Sequence, residues 1–266
     1  MRQTTVHPSI RSAEKQVVIH LVAGPAVSVG TARHAVPEGS KRLMAYVALW
    51  RGPVERVRAA RVLWPDVGDG RAAGNLRSAL WRLRGAGIDV LVADKLSLAL
   101  RPDVAVDVHL MEAWADRLIE DRCHPDDLTA FRRLSEALDL LPGWYDDWVI
   151  AERERLRRRL LHGVESLGRR LTMAGRHADA IEAAMTAIDA DPLRESAHWV
   201  LVEAHLAEGN WAEAWRSFVN LRRLTLRELG VEPSPGLRLL VDGGRDLPTS
   251  PVSMRARGDL PVTARY

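Results

Sequence analysis

A single cysteine, Cys123, stands in a sequence of 266 residues. One thiol excludes an internal disulfide framework and suits a reducing cytoplasm. No apolar run approaches the ~18–20 residues that span a bilayer. Met1 to Gln16 is polar and lacks the apolar core of a secretory signal. A cytoplasmic chain without a membrane partner is expected. Lysine is scarce too: Lys15, Lys41 and Lys95 are the only ones among 38 basic residues. The rest are arginine, whose planar fork suits phosphate contacts, although a G+C-rich genome leaves the same bias. Catalytic motifs are missing as well. There is no Gly-x-x-x-x-Gly-Lys loop, no Gly-x-Ser-x-Gly elbow and no His-Glu-x-x-His. Cys123-His124 has no second cluster to complete a metal site. His198 and His205 share a helical face without such a motif, which reads as a packed or solvated role. No catalytic residue, no cofactor site and no metal site is therefore assigned, and an enzyme is not expected.

What is present is an uneven charge. Residues 1–104 carry 16 Lys and Arg against 8 Asp and Glu, whereas residues 105–266 carry 22 against 27. The net charges, +8 and −5, suggest a polyanion-binding module followed by a module with another task.

The local patterns divide at the same place. Val17 to Val22, Ala26 to Gly30 and His34 to Pro37 read as short strands of an antiparallel sheet. Ser40 then reads as the N-cap of a helix carrying Leu43, Val47 and Trp50 on one face. Gly52-Pro53 ends it. A second helix starts near Glu55, with Val57, Ala60, Leu63 and Trp64 inward. A third runs from about Arg71 to Arg84. Asp89 to Ala93 and Leu96 to Leu100 follow as a hairpin, with Asp94-Lys95 between them. Sheet, three helices, hairpin is the order of a winged helix-turn-helix.

In the third helix Leu76, Leu80 and Leu83 form an apolar stripe that faces a core. The opposite face holds Arg71, Asn75, Ser78 and Arg82, flanked by Arg77, Trp81 and Arg84. Such a face suits a DNA major groove, where Arg grips guanine and Asn grips adenine with two hydrogen bonds each. It is also ordinary for a solvated, Arg-rich helix. Lys95 falls at the proposed wing tip. Gly74 either admits a DNA backbone or belongs to an irregular first turn.

Beyond a linker, Arg101 to Val106, the pattern is helical: Met111 to Ile119, Asp126 to Leu141 and Ile150 to Met173. The run Glu152 to Arg159 reads as a solvated face with i, i+4 pairs. Gly175-Arg176-His177-Ala178-Asp179-Ala180 then matches Gly209-Asn210-Trp211-Ala212-Glu213-Ala214 at an offset of 34 residues. That is the period of tetratricopeptide (TPR) helix pairs. Ala178, Ala180, Ala212 and Ala214 are expected at the close helix contacts. Trp199, Trp211 and Trp215 read as core, and Asp126 to Gly143 as a degenerate first unit.

Arg71 to Arg84 resembles the recognition helix of the antibiotic-regulatory-protein (SARP) type activators. Leu63-Trp64-Pro65-Asp66 resembles the end of their second helix. Leu229-Gly230-Val231-Glu232-Pro233-Ser234-Pro235 resembles the close of their bacterial transcriptional activator domain. One departure stands out: Leu96-Ser97-Leu98 replaces a Gly-Tyr dipeptide of the wing.

The resemblance implies a mostly α chain: a disordered segment (1–16), a winged helix-turn-helix DNA-binding domain (17–104), a TPR-like activator domain (105–243) and a flexible tail (244–266). It implies an activator of secondary-metabolism genes that binds promoter direct repeats in double-stranded DNA, self-associates there and contacts RNA polymerase. Its DNA-binding residues are then Arg71, Asn75, Arg77, Ser78, Arg82, Arg84 and Lys95. The alternative is a TPR-type adaptor whose winged helix does not read DNA.

Overall fold

The computed structural model describes residues 16–122, 127 and 138–245. The chain divides into two compact units, at Gly163 and Val164. In the first, the β-branched Val17–His20 (β1) pairs antiparallel with Ala26–Val29 (β2), which pairs with Ala32–His34 (β3). Ile19 and Val27 are buried on one face. The segment read as a linker adds a fourth strand. Val104–Val106 (β7) runs parallel to β1, giving the order β3-β2-β1-β7. Three residues are too few to show a period of two, so the pattern alone did not reveal this strand. Asp107 secures the junction. Its carboxylate accepts the backbone N–H groups of Leu21 at 2.9 Å, Val22 at 3.1 Å and Val108 at 2.7 Å.

The winged-helix core follows. Helix Glu38–Leu49 (α1) buries Leu43, Met44 and Val47. It begins before Ser40, which is not its cap: the Ser40 hydroxyl is buried and donates to the Ala79 carbonyl at 2.8 Å. Val54–Glu55 (β4) leads into Arg56–Leu63 (α2), then Asp69–Gly85 (α3), Leu91–Ala93 (β5) and Ser97–Leu100 (β6). A second sheet forms in the order β4-β6-β5. Val57 was expected inward but is 59% exposed, while Ala59, Ala60 and Leu63 are buried. The cause is β4. It ties the helix entry to the hairpin, with the Arg56 N–H donating to the Leu96 carbonyl at 2.9 Å, and so sets the phase of α2.

The apolar stripe of α3 is buried at Leu76, Leu80 and Leu83, joined by Ala72 and Ala79. Leu76 is 1% exposed. Leu76→Ala is expected to lower unfolding stability by about 2–5 kcal/mol, through lost burial and a residual cavity. A thermal melt coincident with that of the parent would place this stripe outside the core.

Helices Asp107–Ile119 (α4) and Asp147–Met173 (α5) continue the chain, and the boundary between the units falls within α5. Most of the helix expected at Asp126 to Leu141 lies outside the described residues, as do Cys123 and His124. The arginine run of α5 is not a merely solvated face. Arg155 pairs at 2.6 Å with Glu112, which is 1% exposed and also meets Arg51. Arg159 pairs with Asp116. Arg153 donates to the carbonyls of Leu140, Leu141 and Trp144. Apart from the Arg155–Glu152 pair within α5, these partners sit outside the helix, so i, i+4 spacing did not reveal them.

The second unit stacks His177–Ala190 (α6), Glu195–Ala207 (α7), Trp211–Leu229 (α8) and Pro235–Gly244 (α9). The 34-residue repeat is visible in the backbone. Gly175 has φ 72° and Gly209 has φ 82°, a left-handed conformation that favours glycine. The Arg176 N–H reaches the Leu171 carbonyl, and the Asn210 N–H reaches that of His205. Each helix is thus closed in one way and the next begins two residues after the glycine. Of the four alanines expected at contacts, Ala180 and Ala214 are fully buried, whereas Ala178 and Ala212 are exposed. Phe218, Leu221, Leu237 and Val241 form the core near the end, with Trp199 and Trp215 packed against it. Trp211 stacks on Trp215. The chain is mostly helical: a winged helix-turn-helix followed by a TPR-like helical domain.

Candidate nucleic-acid interface

The placement of α3 is set from both ends. Asp69 in its first turn holds Arg61 of α2 through two contacts, at 3.1 and 2.9 Å. Its C-terminus closes at Gly87, whose φ is 73°. The Ile88 N–H reaches the Leu83 carbonyl there. Between these ends the buried stripe forces the other face into solvent.

Arg71, Arg77, Ser78, Arg82 and Arg84 are all exposed on that face. Two residues behave differently from expectation. Asn75 is half-buried. Arg82 turns its guanidinium against Gly39 in the first turn of α1, where an added Cβ would collide with it. The outermost line of α3 is instead Gly74, Ser78 and Trp81, and Trp81 is 76% exposed. The sequence reading had placed Trp81 on the flank. The buried Ala72 and Ala79, small residues that an apolar count overlooks, shift the centre of the inner face and bring Trp81 to the middle of the outer one. Gly74 lies well inside a helix that starts at Asp69, which removes an irregular first turn as its explanation. A Cβ there would meet only the Arg77 guanidinium, at 3.8 Å.

The hairpin stands beside this face. Asp94 closes its turn: the carboxylate accepts the N–H groups of Leu96 and Ser97, both at 2.7 Å, and the Ser97 hydroxyl at 2.8 Å. Three residues, Asp94 to Leu96, therefore join the strands, not the two-residue Asp94-Lys95 step. Those bonds, the Ser97 backbone first, hold the Asp94 carboxyl below its ordinary range. Leu98 is buried, so Lys95 and the 80% exposed Leu96 project from the tip. Between α2, α3 and the tip lies an open cleft of about 600 Å³. It gathers the cations of Arg56, Arg61, Arg77 and Lys95 around a single carboxylate, Asp69. Sequence spacing does not reveal Arg56 and Arg61: five residues apart, they lie about 140° apart around α2, and only the fold brings both to the cleft.

Among the described residues no helix is long and apolar enough to cross a membrane. None of them forms a group of three or more His, Cys, Asp or Glu side chains that could hold a metal ion.

The arrangement is that of a winged helix joined to stacked helix pairs. Comparison with known proteins identifies the family. The bacterial transcriptional activator domain family matches residues 106–242. The regulatory protein AfsR of Streptomyces griseus is 32% identical over 189 residues, 65% of this chain and 19% of that protein. AfsR of Streptomyces coelicolor is 33% identical over 195 residues, 67% of this chain and 19% of that protein. The chain thus spans about a fifth of the length of these relatives. Among solved structures, Mycobacterium tuberculosis EmbR in complex with a low affinity phosphopeptide has a TM-score of 0.69 at 22% identity. That match covers 88% of this chain and 66% of that one, and shows a shared fold. The chain belongs to the SARP-type transcriptional activators that carry a bacterial transcriptional activator domain.

Proposed function

We propose that this protein binds promoter direct repeats in double-stranded DNA through α3 and the hairpin, and activates transcription by contacting RNA polymerase. The observation that carries the reading is the cationic face of α3 beside a wing tip bearing Lys95. A helix with a buried apolar seam and an exposed Arg face enters a major groove, while neighbouring cations meet phosphates. Arg71, Asn75, Arg77, Ser78, Arg82 and Arg84 are the α3 contacts, with Trp81 against base edges. Arg56, Arg61 and Lys95 sit where a backbone strand would pass. The DNA-binding part is residues 17–104 and the activator domain is 105–243, whose first residues complete β7 of the N-terminal sheet. Self-association on paired repeats, control of secondary-metabolism genes and a cytoplasmic, nucleoid-associated location are part of the same proposal, and membership of the family supports them. We infer no catalytic activity, since a regulator of this family needs none.

Footprinting the purified full chain on genomic fragments tests this reading, and protected repeated motifs are the expected result. Arg77→Ala should then reduce discrimination between operator and unrelated DNA by about 1–3 kcal/mol. Lys95→Ala should weaken both alike, because a phosphate contact carries no sequence information. Arg82→Ala should do less than Arg77→Ala, since its guanidinium rests on α1. The adaptor reading gains if no fragment is protected, or if a folded Arg77→Ala protein protects its site as the parent does.

A further inference from the structure

The second unit holds a groove that DNA binding does not use. It lies among α6, α7 and α8 and has a volume of about 400 Å³. Ile181, Ile188 and Leu201 give it an apolar lining, and Met185, 51% exposed, stands at its edge. Its polar groups are His198, His205, Asp189, Glu213, Ser217 and Asn220, each able to accept a hydrogen bond. His198 is 6% exposed and lines the groove. Its Nε2 lies 2.9 Å from the Pro192 carbonyl. A carbonyl only accepts, so Nε2 carries the proton and Nδ1 presents a lone pair. That Nδ1 is buried and has no hydrogen-bond partner among the described residues. The Nδ1 of His205, also in the lining, is in the same condition. Burial favours the neutral form of both rings by lowering their pKa values. Two carboxylates line it as well, beside Ser217 and Asn220. Glu213 pairs with the exposed Arg216, and Asp189 has no ion pair among the described residues.

We propose that this groove binds a small organic cation, an ammonium or guanidinium group on a short aliphatic chain. The N–H donors of such a ligand satisfy the buried lone pair of His198, which otherwise remains a desolvation cost. Asp189 and Glu213 balance its charge, and the aliphatic chain lies on Ile181, Ile188 and Leu201. An anion finds no Lys or Arg in this lining. The volume falls within the range of small-molecule sites, which combine an apolar lining with a few convergent polar groups. The inference rests on the helical unit alone, so its failure leaves the DNA reading untouched.

The test titrates the full chain with hexylamine and agmatine, with 1-hexanol as the neutral control. Calorimetry measures binding, and long-range ¹H–¹⁵N spectra follow the His198 and His205 rings. Saturable binding of both amines with shifts in both imidazoles is expected, and hexanol should bind at least tenfold more weakly. Asp189→Asn should weaken the amines at least threefold. Met185→Arg, which places a cation of its own at the groove, should abolish their binding. Both substitutions alter exposed side chains, so folding is retained. The proposal is overturned if neither amine saturates, if hexanol binds as well as hexylamine, or if Met185→Arg leaves binding intact. It is equally overturned if an arginine-bearing peptide binds while both amines do not.

Discussion

A fragment ending at residue 104 should lose the β1 sheet, whereas one ending at residue 163 should keep it. The shorter fragment lacks most of β7 and all of Asp107. Without them β1 has a bare edge, and the N–H groups of Leu21 and Val22 lose their acceptor. Leu21 is fully buried, so its orphaned donor costs about 1–3 kcal/mol by itself. Removing several pairings together exceeds what a small domain can lose, since total stability is only about 5–15 kcal/mol. The point mutant isolates the cause. Asp107→Ala in the full chain should lower stability by about 2–4 kcal/mol, because three backbone donors are left unpaired. Asp107→Asn, which keeps one oxygen acceptor, should cost clearly less. Burial pushes the Asp107 carboxyl above its ordinary pKa, while the three N–H donors and His20 pull it back. Urea melts of the two fragments and the two variants decide the matter. A 1–104 fragment as stable as the longer one would show that the sheet stands without β7.

Raising salt from 50 to 200 mM should lower DNA affinity about a thousandfold. The estimate assumes roughly six phosphate contacts, each contributing about −0.9 to the slope of log K against log[salt]. The face offers Arg56, Arg61, Arg71, Arg82, Arg84 and Lys95 for these contacts, apart from Arg77, which is assigned to a base edge. Removing one phosphate contact, as in Lys95→Ala, should reduce the slope by about one. Removing a base contact should change affinity for the operator but leave the slope nearly as it was. Fluorescence anisotropy across a salt series reads both. A flat response would exclude electrostatic DNA binding by this face.

The features legible in the sequence were those long enough to show a period. The seam of α3 runs from Ala72 to Leu83 in a helix of 17 residues, and Leu76, Leu80 and Leu83 are buried as that period requires. The glycines at 175 and 209 were legible for another reason, because a left-handed helix end admits few other residues. What escaped was short or partnered at a distance. β4 has two residues and β7 three, and both are defined by the strand beside them rather than by their own pattern. Arg153, Arg155 and Arg159 looked like surface charge because Leu140, Glu112 and Asp116 lie on other segments. At the candidate site the same limit applies. Spacing placed Arg82 on the outer face, but not its rest against Gly39.

The parallel pairing of β1 with β7 also bears on how the chain acquires its shape. The three helices and the hairpin of the winged fold all lie between these two strands in sequence. Closing so long a loop is entropically unfavourable and is repaid only when both edges are in place. Such non-local pairing slows folding relative to contacts between sequence neighbours. During synthesis β1 emerges long before β7, and it waits with one edge unpaired until Asp107 has left the ribosome. α1, α2, α3 and the hairpin, by contrast, have their main partners close by in the chain. β1, made before its partner, is therefore among the last segments to be locked, and mutations in β7 should slow refolding while leaving the helical nucleus to form at its own rate.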